Sequence, residues 1–373
     1  MKNYLVVIFC VLIFAQLSQR AYIENFNSSA SRRLRGFFAL LTIFMLACFI
    51  GLRTTYNDTY TYRVSYEALN AFPEFWNSFD PTLGANPGFQ ICNAVLRSLH
   101  ISWHGMFLLY AFFTTASAIW LFRKFSPNFT IAIFLFFATN AYTLTAAALK
   151  QCLAVAIGVF AIPYALKKKW IPFTLIILLA STFHPYILMY LIMPLLTFKP
   201  WTKWSYVMIA GALLCGYWFN SLVNVLVDFA AFVGDEYTVE KISGEGISIL
   251  RVLVSMAPII LTYLYRGSLF RNSSKSDNLF VNVSAINASV MFVGLFGSSI
   301  AFSRLAGYFT LMQCVSLSWV LQNIPGKDRR LWRLLTVAGY CGFFWYANVM
   351  VGSFNESFAR ISLWTYITDL VST

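Results

Sequence analysis

Arg32-Arg33-Leu34-Arg35 is followed by Gly36-Phe37-Phe38-Ala39-Leu40-Leu41-Thr42-Ile43-Phe44-Met45-Leu46-Ala47-Cys48-Phe49-Ile50-Gly51-Leu52 and then by Arg53: a basic cluster, 17 residues without a charge, and one more arginine. Wound as a helix at about 1.5 Å per residue, such a run nears the roughly 30 Å thickness of bilayer hydrocarbon. Lys and Arg concentrated at one end of a span mark its cytoplasmic side. The same alternation recurs along the chain. Further clusters stand at Arg123 and Lys124; Lys167 to Lys169; Lys199 and Lys203; Arg266, Arg271 and Lys275; and Lys327, Arg329, Arg330 and Arg333. Together with Arg20, the six clusters hold 18 of the 27 basic residues, so the nine that fall elsewhere become the functional candidates.

Composition agrees. The chain is 59% hydrophobic and only 11% charged, with a mean hydropathy of +0.67. A soluble domain carries about 25% charged residues, so this chain lacks the surface for one. The apolar runs do not alternate as lipid-facing β-strands do. A net charge of +13 would point to nucleic acid in a soluble protein. Here most of it sits in short loops that orient spans and meet anionic lipid, so nucleic-acid binding is set aside. The seven cysteines are scattered without a CxxC pair and read as small buried hydrophobes. Residues 4–20 lack a clear small-residue cleavage site and read as a retained span.

The expected fold is an all-α polytopic membrane protein, with residues 1–373 as a single integral membrane domain. About 12 transmembrane helices are expected, near 4–20, 36–52, 103–122, 129–146, 151–166, 170–183, 185–198, 205–227, 249–266, 279–302, 305–323 and 334–351. The short pair around His184 and Pro185 also fits a re-entrant hairpin. Two outward segments are long. Residues 53–102 interleave charges with aromatic residues and predict amphipathic helices on the bilayer surface. Residues 228–248 hold Asp228, Asp235, Glu236, Glu240, Lys241 and Glu245 and predict a flexible acidic loop. No internal repeat is visible, which weakens a transporter reading.

The nine remaining basic residues are Lys2, Arg53, Arg63, Arg97, Lys150, Lys241, Arg251, Arg304 and Arg360. Singly, each fits a side chain snorkelling to the interface. Converging at the outward end, they would make a site for an anionic, lipid-linked phosphate, with Arg53 and Arg304 as the preferred ligands because guanidinium forks match phosphate oxygens. Lys150 and Gln151 open the fifth span, and Arg304 is placed at the turn between the tenth and eleventh, followed by Tyr308. Asp58 reads either as a general base or as an N-cap or ion-pair partner of Arg53. His184 reads either as a hydrogen-bonded histidine at a helix break or as an acid/base group. His100 and His104 have ligand spacing but no carboxylate to join them, so no metal is assigned, and no cofactor motif is present.

In that order, these residues resemble a known family. Arg53 followed by Asn57-Asp58-Thr59-Tyr60-Thr61-Tyr62 resembles the "R…DxxxY" signature of EpsG-like, Wzy-type polysaccharide polymerases. Asn86-Pro87-Gly88-Phe89 is similar to their next element. Lys150-Gln151 followed by Leu153-Ala154 resembles "R-Q-x-(L/I)-A" with Lys for Arg; Phe183-His184-Pro185 resembles "F/H-H-x-S"; and Arg304 followed by Tyr308-Phe309 resembles a late "R-x-x-x-Y" element. The resemblance implies a GT-C-like membrane glycosyltransferase in the bacterial inner membrane, assembling O-antigen or exopolysaccharide at the periplasmic face. Its substrates would be glycans linked to undecaprenyl pyrophosphate, as donor and acceptor. Asp58 or His184 would serve as catalytic groups, and Arg53, Lys150, Gln151, Arg304, Tyr308 and Tyr62 would bind substrate and pyrophosphate. Membrane lipid and a protein that sets chain length would be the partners, with no cofactor. The alternatives are a flippase or other transporter of lipid-linked oligosaccharide, an O-antigen ligase, and a membrane acyltransferase, for which His184 lacks an adjacent acid.

Overall fold

The computed structural model describes residues 1–24, 29–79, 86–232, 242–351 and 358–372. Asp80 of the first outward segment, and Asp235, Glu236, Glu240 and Lys241 of the second, lie outside the described residues.

Helices form where apolar runs meet capping signals. The chain opens with α1 (Lys2–Glu24) and α2 (Ser29–Gly51), packed side by side. Short helices α3 (Thr59–Glu67), α4 (Glu74–Ser78) and α5 (Pro87–Ser98) form within residues 53–102, as the apolar spacing there predicts. Ser102 starts α6 (Trp103–Phe125) by accepting from the Gly105 amide, and Arg123 and Lys124 sit in its last turn, where they complement the helix dipole. Asn128 caps α7 (Phe129–Ala138), which bends by 53° into α8 (Ala141–Ala147). Asn140, at φ 59°, takes the left-handed conformation at that bend, one that Asn tolerates better than most residues.

Helix α9 (Leu149–Gly158) continues through a 3-10 turn into α10 (Ile162–Leu166), and α11 (Trp170–Ser181) follows. His184 then leads into Pro185–Thr197, a 13-residue 3-10 helix interrupted by Pro194. Runs of that kind seldom exceed four residues. The chain goes on through α12 (Lys203–Tyr217), α13 (Phe219–Phe232), α14 (Ile249–Leu264), α15 (Arg266–Leu269) and α16 (Lys275–Val293). It ends with α17 (Ser299–Asn323), α18 (Asp328–Trp345), a π-turn at Tyr346–Met350, and α19 (Leu363–Ser372). Helix α16 starts at a capping box between Ser274 and Asp277, and packs along α17.

Among the described residues, five helical segments are long and apolar enough to cross a bilayer: Lys2–Arg20, Arg33–Gly51, Trp103–Phe125, Leu149–Leu166 and Ser299–Asn323. The bent pair α7–α8, taken as one span, would make a sixth. Of the roughly 12 spans expected, others correspond to shorter apolar helices, including Trp170–Ser181, Pro185–Thr197 and Ile249–Leu264. Leu5, Phe9, Leu40, Phe44, Leu175 and Leu195 are exposed on the bundle surface, the arrangement a lipid solvent favours.

Three boundaries depart from expectation. The break between α16 and α17 lies at residues 294–298, so Arg304 stands on the second turn of α17 and not at a turn. Helix α13 runs to Phe232, past the expected loop start at residue 228. The expected span 205–227 is interrupted at Trp218.

The segments that carry the basic clusters are tied together at one end of the bundle. Gln19 donates to the Pro127 carbonyl at 3.3 Å and accepts from the Phe129 amide at 2.7 Å. Ser126 and Ser318 share a hydrogen bond of 2.6 Å, Asn282 donates to the carbonyls of Leu196 and Phe198, and Tyr265 donates to Asp328 at 2.8 Å. The starts of α3, α5, α9 and α17 lie at the opposite end.

Candidate functional site

At that opposite end, five of the expected residues meet. Asp58 stands at the N-cap position of α3, yet its carboxylate makes no capping hydrogen bond. It pairs instead with Arg304, Nη2 to Oδ2 at 3.6 Å, with both side chains nearly half exposed (43% and 48%). Of the alternatives read for Asp58, the cap and the pairing with Arg53 are not what is found; its partner comes from α17. Tyr62, one turn on from Asp58, sets its ring edge against Phe89 at 6.0 Å, and its hydroxyl meets the backbone of Lys150. Burial, reinforced by the Asp58 charge, pushes that phenol up to about 12. The Lys150 ammonium lies 5.4 Å over the same Phe89 ring. Gln151, expected among the ligands, is buried and donates from Nε2 to the Arg304 carbonyl at 2.6 Å. It therefore acts on the backbone that carries Arg304.

His184 and Tyr308 form the second half of the site. The Tyr308 hydroxyl lies 2.6 Å from His184 Nδ1, and Tyr308 is 1% exposed. Tyr190 anchors the same turn of α17 by donating to the Tyr308 carbonyl. Burial, followed by the charges of Lys150 and Arg304, draws the His184 imidazole down from 6.5 to about 4. The ring is therefore neutral near pH 7. In the neutral tautomer that accepts a hydrogen bond from the Tyr308 hydroxyl at Nδ1, the ring proton is on Nε2, where it is a donor.

The lowered value sets a pH dependence. Between about 4 and 6.5 the unfolded chain holds a proton on this histidine that the folded chain does not. Stability therefore falls as pH drops through that window and is unaffected by this group above it. His184→Gln is expected to flatten the acid limb of thermal unfolding in detergent over that window. An unchanged acid limb would exclude the shift.

Arg53, expected as a phosphate ligand, reaches the residue after Asp58 but is closed off from solvent. It is fully buried, with its guanidinium 4.0 Å over the Phe107 ring. Nε donates to Thr59 Oγ1 at 3.0 Å and Nη1 to the Ile50 carbonyl at 2.9 Å, while buried Nη2 has no hydrogen-bond partner among the described residues. Burial lowers its pKa to about 10, with nearby Tyr62 acting the other way. An enclosed guanidinium of this kind braces the turn in front of α3. That turn is strained: Tyr56 and Asn57 have φ of 134° and 42°. Each such residue costs about 1–3 kcal/mol and persists only where its surroundings hold it.

A glycine clips two motif elements together. The Gly88 amide donates to the Thr182 carbonyl at 2.9 Å, and a Cβ at residue 88 would stand 2.1 Å from Thr182 Oγ1. Only glycine allows the start of α5 to approach the turn before His184 so closely. Gly88→Ala should force α5 outward, drawing Phe89 away from Lys150, and destabilise the protein by about 1–3 kcal/mol. A thermal midpoint equal to the parent's would refute this contact.

Three contributors escaped the sequence reading. Thr59 passes the Arg53 contact on to the Tyr56 carbonyl, which its hydroxyl donates to at 2.6 Å. Phe107 supplies the ring under Arg53. Residues 358–361 return from the chain's end to pair with residues 52–55. The only signal for the last was Arg360, a basic residue outside the clusters.

The sequence matches the family model described as "EpsG family" over residues 36–363. Comparison with curated proteins and with solved structures returns no match.

Proposed function

The chain belongs to the EpsG family, and from that premise we propose that it is an integral-membrane glycosyltransferase, GT-C-like, that joins oligosaccharide repeat units carried on undecaprenyl pyrophosphate. Its site is at the periplasmic face of a bacterial inner membrane. The observation that carries this reading is the Arg304–Asp58 pair, open to solvent and flanked by Lys150 and His184, at the end of the bundle away from the basic clusters. Basic loops are retained in the cytoplasm, so the opposite end faces outward.

In the proposed reaction, a sugar hydroxyl of the acceptor attacks the anomeric carbon of the donor glycan. The bond from that carbon to the pyrophosphate oxygen breaks, and undecaprenyl pyrophosphate leaves with the electron pair. Arg304 and Lys150 face the negative charge that grows on the leaving group. Cations held in place beforehand stabilise it without reorganising. Asp58, half exposed, receives the hydroxyl proton. The Nε2–H of His184 donates to a substrate oxygen, with Tyr308 fixing the ring. Gln151, Tyr62 and Arg53 position these groups through the backbone and the α3 turn. Apolar faces of the bundle accommodate the polyprenyl tails.

Glycan analysis of a deletion strain tests the reading. A lost polymerase leaves one repeat unit on each lipid carrier. Precursor trapped on the inner leaflet would indicate a flippase instead, and long polymer left unattached would indicate a ligase.

A further inference from the structure

The segment Phe358–Ile361 lies across the turn that presents Asp58, and four hydrogen bonds hold it there. Thr54 and Thr55 donate from their amides to the Ala359 carbonyl at 2.8 and 3.4 Å, and Ile361 donates to the Leu52 carbonyl at 3.0 Å. The Ala359 amide returns a bond to Thr55 Oγ1 at 2.9 Å. Phe358 stacks on Phe49 at 5.1 Å and sets its ring edge against Tyr56 at 5.8 Å. The Arg360 guanidinium lies 5.2 Å over Phe49. Beneath this strap are two consecutive residues, Tyr56 and Asn57, at φ 134° and 42°, and the next residue is Asp58.

Such a turn does not persist on local preference, because side chains at positive φ meet their own backbone. Something must hold it from outside. Arg53 holds it from the bundle side, through Thr59. The strap holds it from the other side, through Thr55 and the Tyr56 ring. Asp58 has no capping bond of its own to fix its direction, so the turn sets where its carboxylate points.

We propose that the strap Phe358–Ile361 is a positioning element of the site: it locks the Tyr56–Asn57 turn and thereby holds Asp58 against Arg304. Its relevance to glycosyl transfer rests on the reading of that pair as the reactive one. The strap acts through Thr55 and Tyr56 and touches no substrate.

The test separates geometry from activity. In full-length protein with the seven native cysteines replaced by Ala, Asp58→Cys and Arg304→Cys are combined and cross-linked with a short bis-maleimide in detergent. Thr55→Val removes the hydroxyl that accepts from Ala359 while keeping the side chain's shape. Ala359→Pro removes the donor. Each is expected to lower the cross-linking rate about tenfold, the effect of losing roughly one such interaction. Asn57→Gly, which adopts positive φ without strain, should restore the rate in the Thr55→Val background. A purely structural loss would not be rescued in this way.

In cells with otherwise native protein, Thr55→Val should shorten the polymer at unchanged protein abundance, and Asn57→Gly should restore its length. Unchanged cross-linking in both strap variants overturns the proposal, whatever the polymer does. Reduced cross-linking with full-length polymer supports the strap's role and overturns the reading of Asp58 and Arg304 as the reactive pair.

Discussion

Arg304→Ala is expected to reduce chain extension about 10²–10³-fold, the usual loss when one fixed donor to a developing negative charge is removed. The protein should remain in the membrane at its normal abundance. Both expectations come from the geometry. The Arg304 side chain is 43% exposed and its pair with Asp58 is 3.6 Å long, so the pair adds no more than about 1 kcal/mol to stability. The bond from Gln151 goes to the Arg304 carbonyl, which the substitution leaves in place. The loss therefore falls on chemistry and not on folding. Arg304→Lys keeps the charge without the fork and should give an intermediate chain length. Glycan length on gels, with membrane abundance measured alongside, decides the matter. Normal long polymer in Arg304→Ala would remove this residue from the site.

Asp58→Asn is expected to lower activity about 10²–10⁴-fold, the range for loss of a positioned proton acceptor. The replacement has the same shape, and the aspartate makes no capping bond, so α3 should be undisturbed. Glu67→Gln is the matched control. Glu67 is also on α3 and also pairs with an arginine, Arg63 at 3.1 Å, but that pair is an exposed surface contact of the (i, i+4) kind. It should leave polymer length unchanged. Asp58→Asn combined with Arg304→Ala should lose less than the product of the two single losses, because groups acting as one unit are not additive. Equal activity in Asp58→Asn and Glu67→Gln would take the proton-acceptor role away from Asp58.

Much of the architecture was readable because its causes are local. The run from Gly36 to Leu52 reads as a span whatever surrounds it, and it lies within an observed long apolar helix. The amphipathic spacing read in residues 53–102 is likewise met by the short helices α3 and α5. Boundaries were less legible. Ser298 caps α17 and moves its start ahead of Arg304, a single hydrogen bond that outweighed the charge as a marker of the helix end. Among the site residues, Asp58, Lys150, His184, Tyr308 and Arg304 gather as expected at the end away from the basic clusters. Arg53 is buried where Arg304 is open, and nothing near it in the chain marks it as different from Arg304. Both are single arginines beside apolar runs.

By itself, then, the chain of residues determined a helical membrane protein, the end of it that carries the basic loops, and the short set of polar groups left at the other end. Hydropathy and charge act on each segment directly, so no knowledge of neighbours was needed. Only the tertiary structure decided which arginine is dry and which is open, that Asp58 faces Arg304, and that His184 meets a tyrosine 124 positions away. Those outcomes depend on burial and on contacts between distant helices, which packing creates and no local pattern encodes.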